Sequence, residues 1–172
     1  MPVGKRVDTE SREISMEATQ HPYAQAREQG EKLWFLGTPT RVIATTEQTG
    51  GAFGLIEQEI PAGSESPWHV HHAEDESFYV VEGRMTFLCG DQKVQAGPGT
   101  FVYGPRGIPH GFRVIGDQPA RVLMQCTPAG GFENFVMEMS ESAPPSGPPD
   151  MESLMALAAK YGNEVLGPLP DR

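Results

Sequence analysis

Residues 63–76 read Gly63-Ser-Glu-Ser-Pro-Trp-His69-Val-His71-His72-Ala-Glu-Asp-Glu76 and contain three of the chain's five histidines. In a β-strand, side chains at positions i and i+2 point to the same face, so His69 and His71 can present two imidazoles to one point. His72 has the opposite parity or lies in the polar turn that follows, and Glu76 then opens a second apolar strand. The pattern predicts that His69, His71 and Glu76 are three ligands of one metal ion.

A second segment offers a fourth ligand. Residues 99–110 read Gly99-Thr-Phe-Val-Tyr-Gly-Pro105-Arg-Gly107-Ile-Pro-His110, and the Pro-x-Gly turn doubles the chain back before His110. If the four residues merely formed a solvated face, nothing would explain why both glycine-framed segments end in ligand types. His21 precedes a proline outside both segments and is interpreted as a surface residue.

Both segments resemble the motifs of the cupin superfamily, G-x5-H-x-H-x3-4-E-x6-G and G-x5-P-x-G-x2-H-x3-N. The first motif is met in full by Gly63, His69, His71, Glu76 and Gly83. The second is met by Gly99, Pro105, Gly107 and His110, but Val114 stands where the motif ends in Asn. That departure concerns a neighbouring hydrogen bond, because every ligand type is present. The resemblance implies an all-β double-stranded β-helix, the jelly-roll barrel of the cupins.

The remaining sequence agrees with such a barrel. Short strands separated by turn residues, as from Phe53 onward, are typical of a sandwich or barrel. They are predicted near 53–60, 66–72, 76–82, 84–89, 93–96, 100–104, 109–115 and 120–127, with earlier strands at 33–36 and 41–46. We expect an N-terminal arm and a short helix (Tyr23–Gly30) in residues 1–30, the barrel in 31–139, and a Pro-rich linker and C-terminal helix in 140–172.

Apolar spacing predicts the C-terminal helices. Phe132, Phe135, Val136 and Met139 recur at i, i+3, i+4 and i+7, which favours a helical turn, although a final strand is the alternative. Asp150 is a suitable N-cap for a helix whose apolar stripe runs from Met151 to Tyr161 and ends at Gly162. We interpret this stripe as core or subunit contact, and we expect the tail 165–170 to lie back on the domain.

Composition excludes some partners. The 172 residues carry a formal net charge of −10, from 13 Lys+Arg against 23 Asp+Glu, so the chain lacks the basic face that nucleic acid or an anionic membrane requires. No run approaches the roughly 20 apolar residues of a membrane span, and the N-terminus has no apolar stretch after its positive charges. Cys89 and Cys126 are predicted to be buried free thiols, which fits a reducing compartment. We expect a cytoplasmic protein that binds a small molecule.

Strand parity also predicts the surroundings of the metal. If Glu76 and His110 point inward, Phe78 and Phe112 do so as well, and Met85, Phe87 or Met124 can complete the pocket. Phe78, Met85 and Phe112 are therefore our candidate substrate contacts. The alternative is that each belongs to the barrel core, because large side chains must fill the interior of a small barrel in any case.

Three neutral imidazoles and one carboxylate would leave a divalent metal with open coordination positions for reaction or ligand binding. The donor set is borderline in softness and does not select one ion. We expect Fe or Ni, with Mn, Co, Cu and Zn as alternatives. The chemistry expected of such a site is either O2 activation with an organic substrate or Lewis-acid polarisation of an enol or carbonyl oxygen.

Residues 30 to 165 resemble one branch of the superfamily, the small bacterial quercetin 2,3-dioxygenase-like cupins, through stretches such as 78–83, 105–110, 128–135 and 158–162. This resemblance implies a dioxygenase that uses O2 on an aromatic or enolic substrate, with Glu76 as both ligand and catalytic base. A metal-assisted isomerase, cyclase or decarboxylase, or a non-catalytic binding protein, remains an alternative. Exposed barrel edges near Leu33 and Arg41 and the Met151–Tyr161 stripe also predict a homodimer.

Overall fold

The structure is a computed structural model that describes residues 21–141, 147 and 150–171. Its elements are β1 (Lys32–Phe35), β2 (Thr38–Ala44), α1 (Thr46–Thr49), β3 (Gly54–Ile60), β4 (Trp68–His71), β5 (Asp75–Glu82), β6 (Met85–Cys89), β7 (Gln92–Ala96), β8 (Phe101–Gly104), β9 (His110–Val114), β10 (Ala120–Thr127), α2 (Phe132–Met139), α3 (Met151–Lys160) and β11 (Asn163–Gly167). The predicted N-terminal arm, residues 1–20, and most of the predicted linker lie outside the described residues.

The described strands form two antiparallel sheets. One has six strands in the order β1-β2-β3-β10-β5-β8, and the other has five in the order β11-β4-β9-β6-β7. From β3 onward every pair of consecutive strands except β6 and β7 lies in different sheets, so the chain crosses repeatedly between the two layers. The predicted jelly-roll fold is confirmed.

The core lies between the sheets, on the inward positions of each strand. Phe78, Phe87 and Phe112 pack together with ring centroids 4.9 to 5.9 Å apart. The last glycine of the first motif, Gly83, has a positive φ of 80°, and a Cβ there would lie 2.6 Å from the Ala120 backbone. Only glycine meets both conditions, which brings the β5–β6 turn against the start of β10.

Two local predictions were wrong or incomplete. The helix predicted over Tyr23–Gly30 is only a 3₁₀ turn at Arg27–Gln29, and it buries no residue. Without an apolar face to bury, so short a segment lacks the tertiary packing from which most helices in proteins gain their stability. The tail 165–170 was expected only to lie on the domain, whereas its first residues belong to β11 (Asn163–Gly167), which pairs with β4.

The two longer predicted helices are confirmed. Helix α2 covers the apolar period that begins at Phe132 and buries Phe132, Phe135 and Val136. Helix α3 begins after Asp150, whose side chain accepts a hydrogen bond of 3.2 Å from the Glu152 N–H. No helix in the described ranges is long and apolar enough to cross a membrane.

We expect the protein to form a homodimer, because both sheets of the described chain leave strand edges open. The edge at β1 is already bridged by Glu141, which exchanges two backbone hydrogen bonds with Trp34. Edge strand β8 instead exposes Phe101 and Tyr103, with 63% and 52% of their surface accessible. Light scattering at micromolar concentration should give twice the mass of one chain, and a monomer mass would contradict this expectation.

Candidate metal centre

Strands from both sheets carry the four predicted ligand residues. His69 and His71 lie on β4, and His110 begins β9 directly opposite His69. Glu76 lies on β5 in the other sheet, so its carboxylate approaches the imidazoles from across the barrel. The two-residue period of β4 places His69 and His71 on one face, the β4–β5 turn returns Glu76, and the pairing of β4 with β9 adds His110. The four side chains thus come together in one cluster.

The cluster is compact and centres on one carboxylate oxygen. Glu76 Oε2 lies 2.9 Å from His110 Nε2, 3.4 Å from His71 Nε2 and 3.7 Å from His69 Nε2. His71, Glu76 and His110 are buried, and only His69 is partly exposed. Nitrogen and oxygen ligands about 2.1 Å from a common ion lie roughly 3.0 to 3.5 Å from one another, so these spacings fit a single ion.

Buried atoms without partners also fit a metal ion. His71 Nε2 and Glu76 Oε1 are both buried and have no hydrogen-bond partner. An unpaired polar atom in the interior is costly, and a coordinated ion would engage a donor atom such as His71 Nε2. The cluster could therefore hold one metal ion through three nitrogens and one oxygen.

Backbone carbonyls orient two of the imidazoles. His69 Nδ1–H donates to the Pro67 carbonyl at 2.8 Å, and His110 Nδ1–H donates to the Ile108 carbonyl at 2.9 Å. A carbonyl only accepts, so the proton must lie on Nδ1 in each ring. Both Nε2 atoms are thereby directed at Glu76, as expected for metal-binding imidazoles with a fixed outer partner.

The third imidazole has a carboxylate neighbour, which the sequence analysis missed. Glu74 is only 1% exposed, and its Oε2 lies 3.5 Å from His71 Nδ1. Its other oxygen accepts hydrogen bonds from the Gly130 and Phe132 N–H groups at the start of α2, at 2.5 and 3.4 Å. The acidic run Glu74-Asp-Glu76 was a visible signal, but strand parity does not apply to the turn residue Glu74.

His72 lies outside the cluster, as its parity predicts. Its ring is largely exposed, and its Nε2 lies 2.9 Å from Glu164 Oε2 on the surface.

Cys126 is buried near His71 and Glu74. Burial, followed by the nearby carboxylates, raises the pKa of this thiol well above its usual value. Cys126 is therefore a neutral thiol, and the thiolate is the form that binds metals.

Burial and mutual contacts set the charges of the cluster. Burial is the largest effect on His69 and lowers its pKa, against the opposing attraction of the Glu76 carboxylate. Burial alone would raise the pKa of Glu76, but the nearby His71, the hydrogen bond from His110 and the nearby His69 outweigh it, so this pKa falls well below its usual range. For His110, the Glu76 contacts outweigh burial and raise the pKa. A metal ion bound by His110 Nε2 would take the place of a proton on that nitrogen.

A cavity of about 530 Å³ opens beside the cluster, within the size range of small-molecule sites. His69, His71 and Glu76 form one part of its wall, and Phe112 and Met124 continue it inside the barrel. Further parts of the wall come from α2, α3 and β1, and include Phe132, Phe135, Leu154 and Phe35.

Of the three predicted substrate contacts, the structure places only Phe112 on this wall. Phe78 and Met85 are buried in the core, 2% and 0% exposed, and do not line the cavity. Parity correctly predicts that both point inward. It does not distinguish the layer beside the metal from the deeper layers of the barrel, and both side chains belong to the deeper core.

Replacing Glu74 by Gln is expected to weaken metal binding about 10-fold, the lower end of the effect of removing an outer partner of a ligand. The variant keeps the side chain's size and its acceptor for Gly130, but it removes the charge beside His71 Nδ1. A chelator-competition titration measures the affinity, with Glu82→Gln at the exposed end of β5 as the control. Equal affinities in wild type and Glu74→Gln would show that Glu74 only holds the Gly130–Phe132 segment in place through its hydrogen bonds.

Comparison with known proteins gives both a family match and similar structures. Residues 56–126 match the family described as the cupin domain. Quercetin 2,3-dioxygenase of Bacillus subtilis (strain 168) is 31% identical over 120 residues, which cover 70% of this chain and 35% of that enzyme. Three further curated proteins are also similar to this chain, which spans between 53% and 64% of their length.

Two solved structures support the same fold. An RmlC-like cupin from Shewanella frigidimarina NCIMB 400 superposes with a TM-score of 0.56 at 19% identity, covering 68% of this chain and 98% of that one. The polyketide cyclase RemF from Streptomyces resistomycificus gives a TM-score of 0.54 at 26% identity, covering 63% of this chain and 80% of that one.

Proposed function

Because the chain belongs to the cupin superfamily, we propose that it is a metal-dependent dioxygenase that acts with O2 on an aromatic or enolic small molecule. The observation that carries the proposal is the position of Glu76, whose carboxylate lies among three imidazoles and also lines an apolar cavity. The similarity to a quercetin 2,3-dioxygenase supports this substrate class.

In this proposal His69, His71, Glu76 and His110 hold one divalent transition metal, Fe or Ni in first place. When bound, the metal would supply a Lewis-acidic centre and the means to activate O2. The protein's own contribution is to fix the imidazoles through Pro67 and Ile108 and to keep the reacting end buried.

Glu76 is the proposed catalytic base. Its Oε2 faces the three imidazoles, whereas its buried Oε1 has no hydrogen-bond partner. A substrate hydroxyl entering from the cavity can therefore give its proton to Oε1. The proton moves from the enol oxygen to the carboxylate, which leaves the substrate as an enolate, the more electron-rich form that reacts with O2.

The cavity wall suits a planar aromatic molecule. Phe112 on the barrel side and Phe132 and Phe135 on α2 provide ring surfaces, and Leu154 adds an aliphatic contact. Aromatic walls bury a large apolar area and exclude water, which strengthens electrostatic interactions at the buried end.

A metal-assisted cyclase is the second candidate, and the similarity to the polyketide cyclase RemF supports it. Such a reaction would use the same cavity and the same polarising centre on an aromatic polyketide, without O2. Atmosphere is therefore the variable that separates the two candidates.

The test is oxygen consumption by the metal-loaded protein on addition of quercetin, followed together with the loss of the flavonol's absorbance. We expect O2 and the flavonol to be consumed in equal amounts in air. Under nitrogen the flavonol should persist. His110→Ala, which removes one donor, is the matched inactive control. Conversion of an aromatic substrate at equal rates with and without air would replace the dioxygenase by the cyclase type of reaction.

A further inference from the structure

The first residue of β11, Asn163, is a buried polar side chain on the cavity wall. Antiparallel pairing sets Asn163 directly opposite His71, and cross-strand partners have Cβ atoms about 4.5 to 5.5 Å apart on the same face. Asn163 is 6% exposed and lines the cavity together with His71. The amide is therefore close to any molecule that occupies the reacting end.

Both polar atoms of this amide lack a partner. Oδ1 and Nδ2 of Asn163 are buried and make no hydrogen bond with the described part of the chain. Gln58, another buried amide on the cavity wall, instead donates to Thr40 Oγ1 at 3.0 Å. Three of the described cavity-lining residues have buried side-chain polar atoms without a partner. Two of them, His71 and Glu76, belong to the cluster of predicted ligands, and the third is Asn163.

Apart from His71, the cavity-lining residues of β11 and the two helices offer the Asn163 amide no hydrogen-bond partner. Val165, which points to the same face of β11, and Leu154 and Phe135 from the two helices present only carbon atoms to the cavity. A leucine of similar size would fill this position without leaving unpaired groups. A donor and an acceptor held side by side in an apolar wall instead match a ligand group that both accepts and donates, as a hydroxyl does.

We propose that Asn163 is a substrate-binding residue that hydrogen-bonds a hydroxyl group of the aromatic substrate other than the enol that Glu76 deprotonates. This inference rests on the proposed function and specifies its substrate class as polyhydroxylated aromatic molecules. Because β11 lies beyond residue 126, outside the segment that matches the cupin domain, this selectivity is carried by the C-terminal part of the chain.

The experiment compares two flavonols in anaerobic titration calorimetry with metal-loaded protein. Quercetin carries hydroxyls on both outer rings, whereas 3-hydroxyflavone carries only the enol hydroxyl. Wild type should bind quercetin more tightly. Asn163→Leu should weaken quercetin binding about 10-fold, the size of one lost hydrogen bond, and change 3-hydroxyflavone binding by less than about 2-fold.

Melting of the ligand-free protein is the independent readout. Because Asn163→Leu replaces unpaired polar atoms by apolar ones, its melting temperature should equal or exceed that of wild type. Glu164→Gln, the next residue on the same strand but exposed beside His72, is the matched control and should alter neither affinity nor melting. Asn163→Ala provides a second variant with the same expected loss of quercetin preference.

The outcomes distinguish a failure of the Asn163 assignment from a failure of the proposed function. If both flavonols lose affinity equally, or if the Asn163 variants melt well below wild type, Asn163 is a structural residue and the inference is overturned. If neither flavonol loses affinity, the amide makes no contact with substrate, and the inference is again overturned. If wild type binds neither flavonol, the proposed function fails first, and the polyhydroxylated substrate class fails with it.

Discussion

Glu76→Gln is expected to lower turnover per bound metal ion by a factor of at least about 10², the lower end of what a positioned general base contributes. Gln has the same shape and retains one weak oxygen ligand, so His69, His71 and His110 should still hold part of the metal. The amide cannot accept a proton as the carboxylate Oε1 can. The rate should therefore fall far more than the metal content does.

Both quantities must be measured on the same samples. Elemental analysis gives the metal content, and oxygen consumption with quercetin gives the rate, so activity is expressed per bound ion. Glu82→Gln, at the exposed end of the same strand, should leave both values unchanged. If Glu76→Gln matches wild type per bound ion, Glu76 is a structural ligand only and the base mechanism should be abandoned.

Removal of any of the three imidazoles should have the largest effect on metal content. His69→Ala, His71→Ala and His110→Ala each delete one of four donors that converge within 4.8 Å of one another. We expect each variant to lose most of its metal, with an affinity loss greater than the about 10-fold to 100-fold that removal of an outer partner causes.

His72→Ala is the matched control for these variants, because it removes an imidazole from the same segment. Its ring faces solvent beside Glu164, on the opposite side of β4 from His71. Metal content close to wild type is expected for His72→Ala. Near-full metal in His71→Ala together with a loss in His72→Ala would mean that the register of β4 is shifted by one residue.

The metal cluster could be predicted from sequence because its geometry is mostly local. A strand period of two places His69 and His71 on one face, and the turns framed by glycine return Glu76 and His110 to the same region. Local chemistry likewise identified α3, which begins at the side-chain cap of Asp150. The same local reasoning overestimated the Tyr23–Gly30 helix, because a short helix needs an apolar face packed on the domain and this segment buries no residue.

The amino-acid sequence by itself thus determined the two motifs and placed His69 and His71 on one face, since strand parity and turn residues act over a few positions. The barrel was implied by the resemblance that these motifs carry. Only the tertiary structure decided which inward side chains face the cavity, and it separated Phe112 from Phe78 and Met85. It also brought Glu74 to Gly130, 56 positions away and just before α2, and set Asn163 opposite His71. Such contacts depend on how distant elements pack, and no local period encodes that packing.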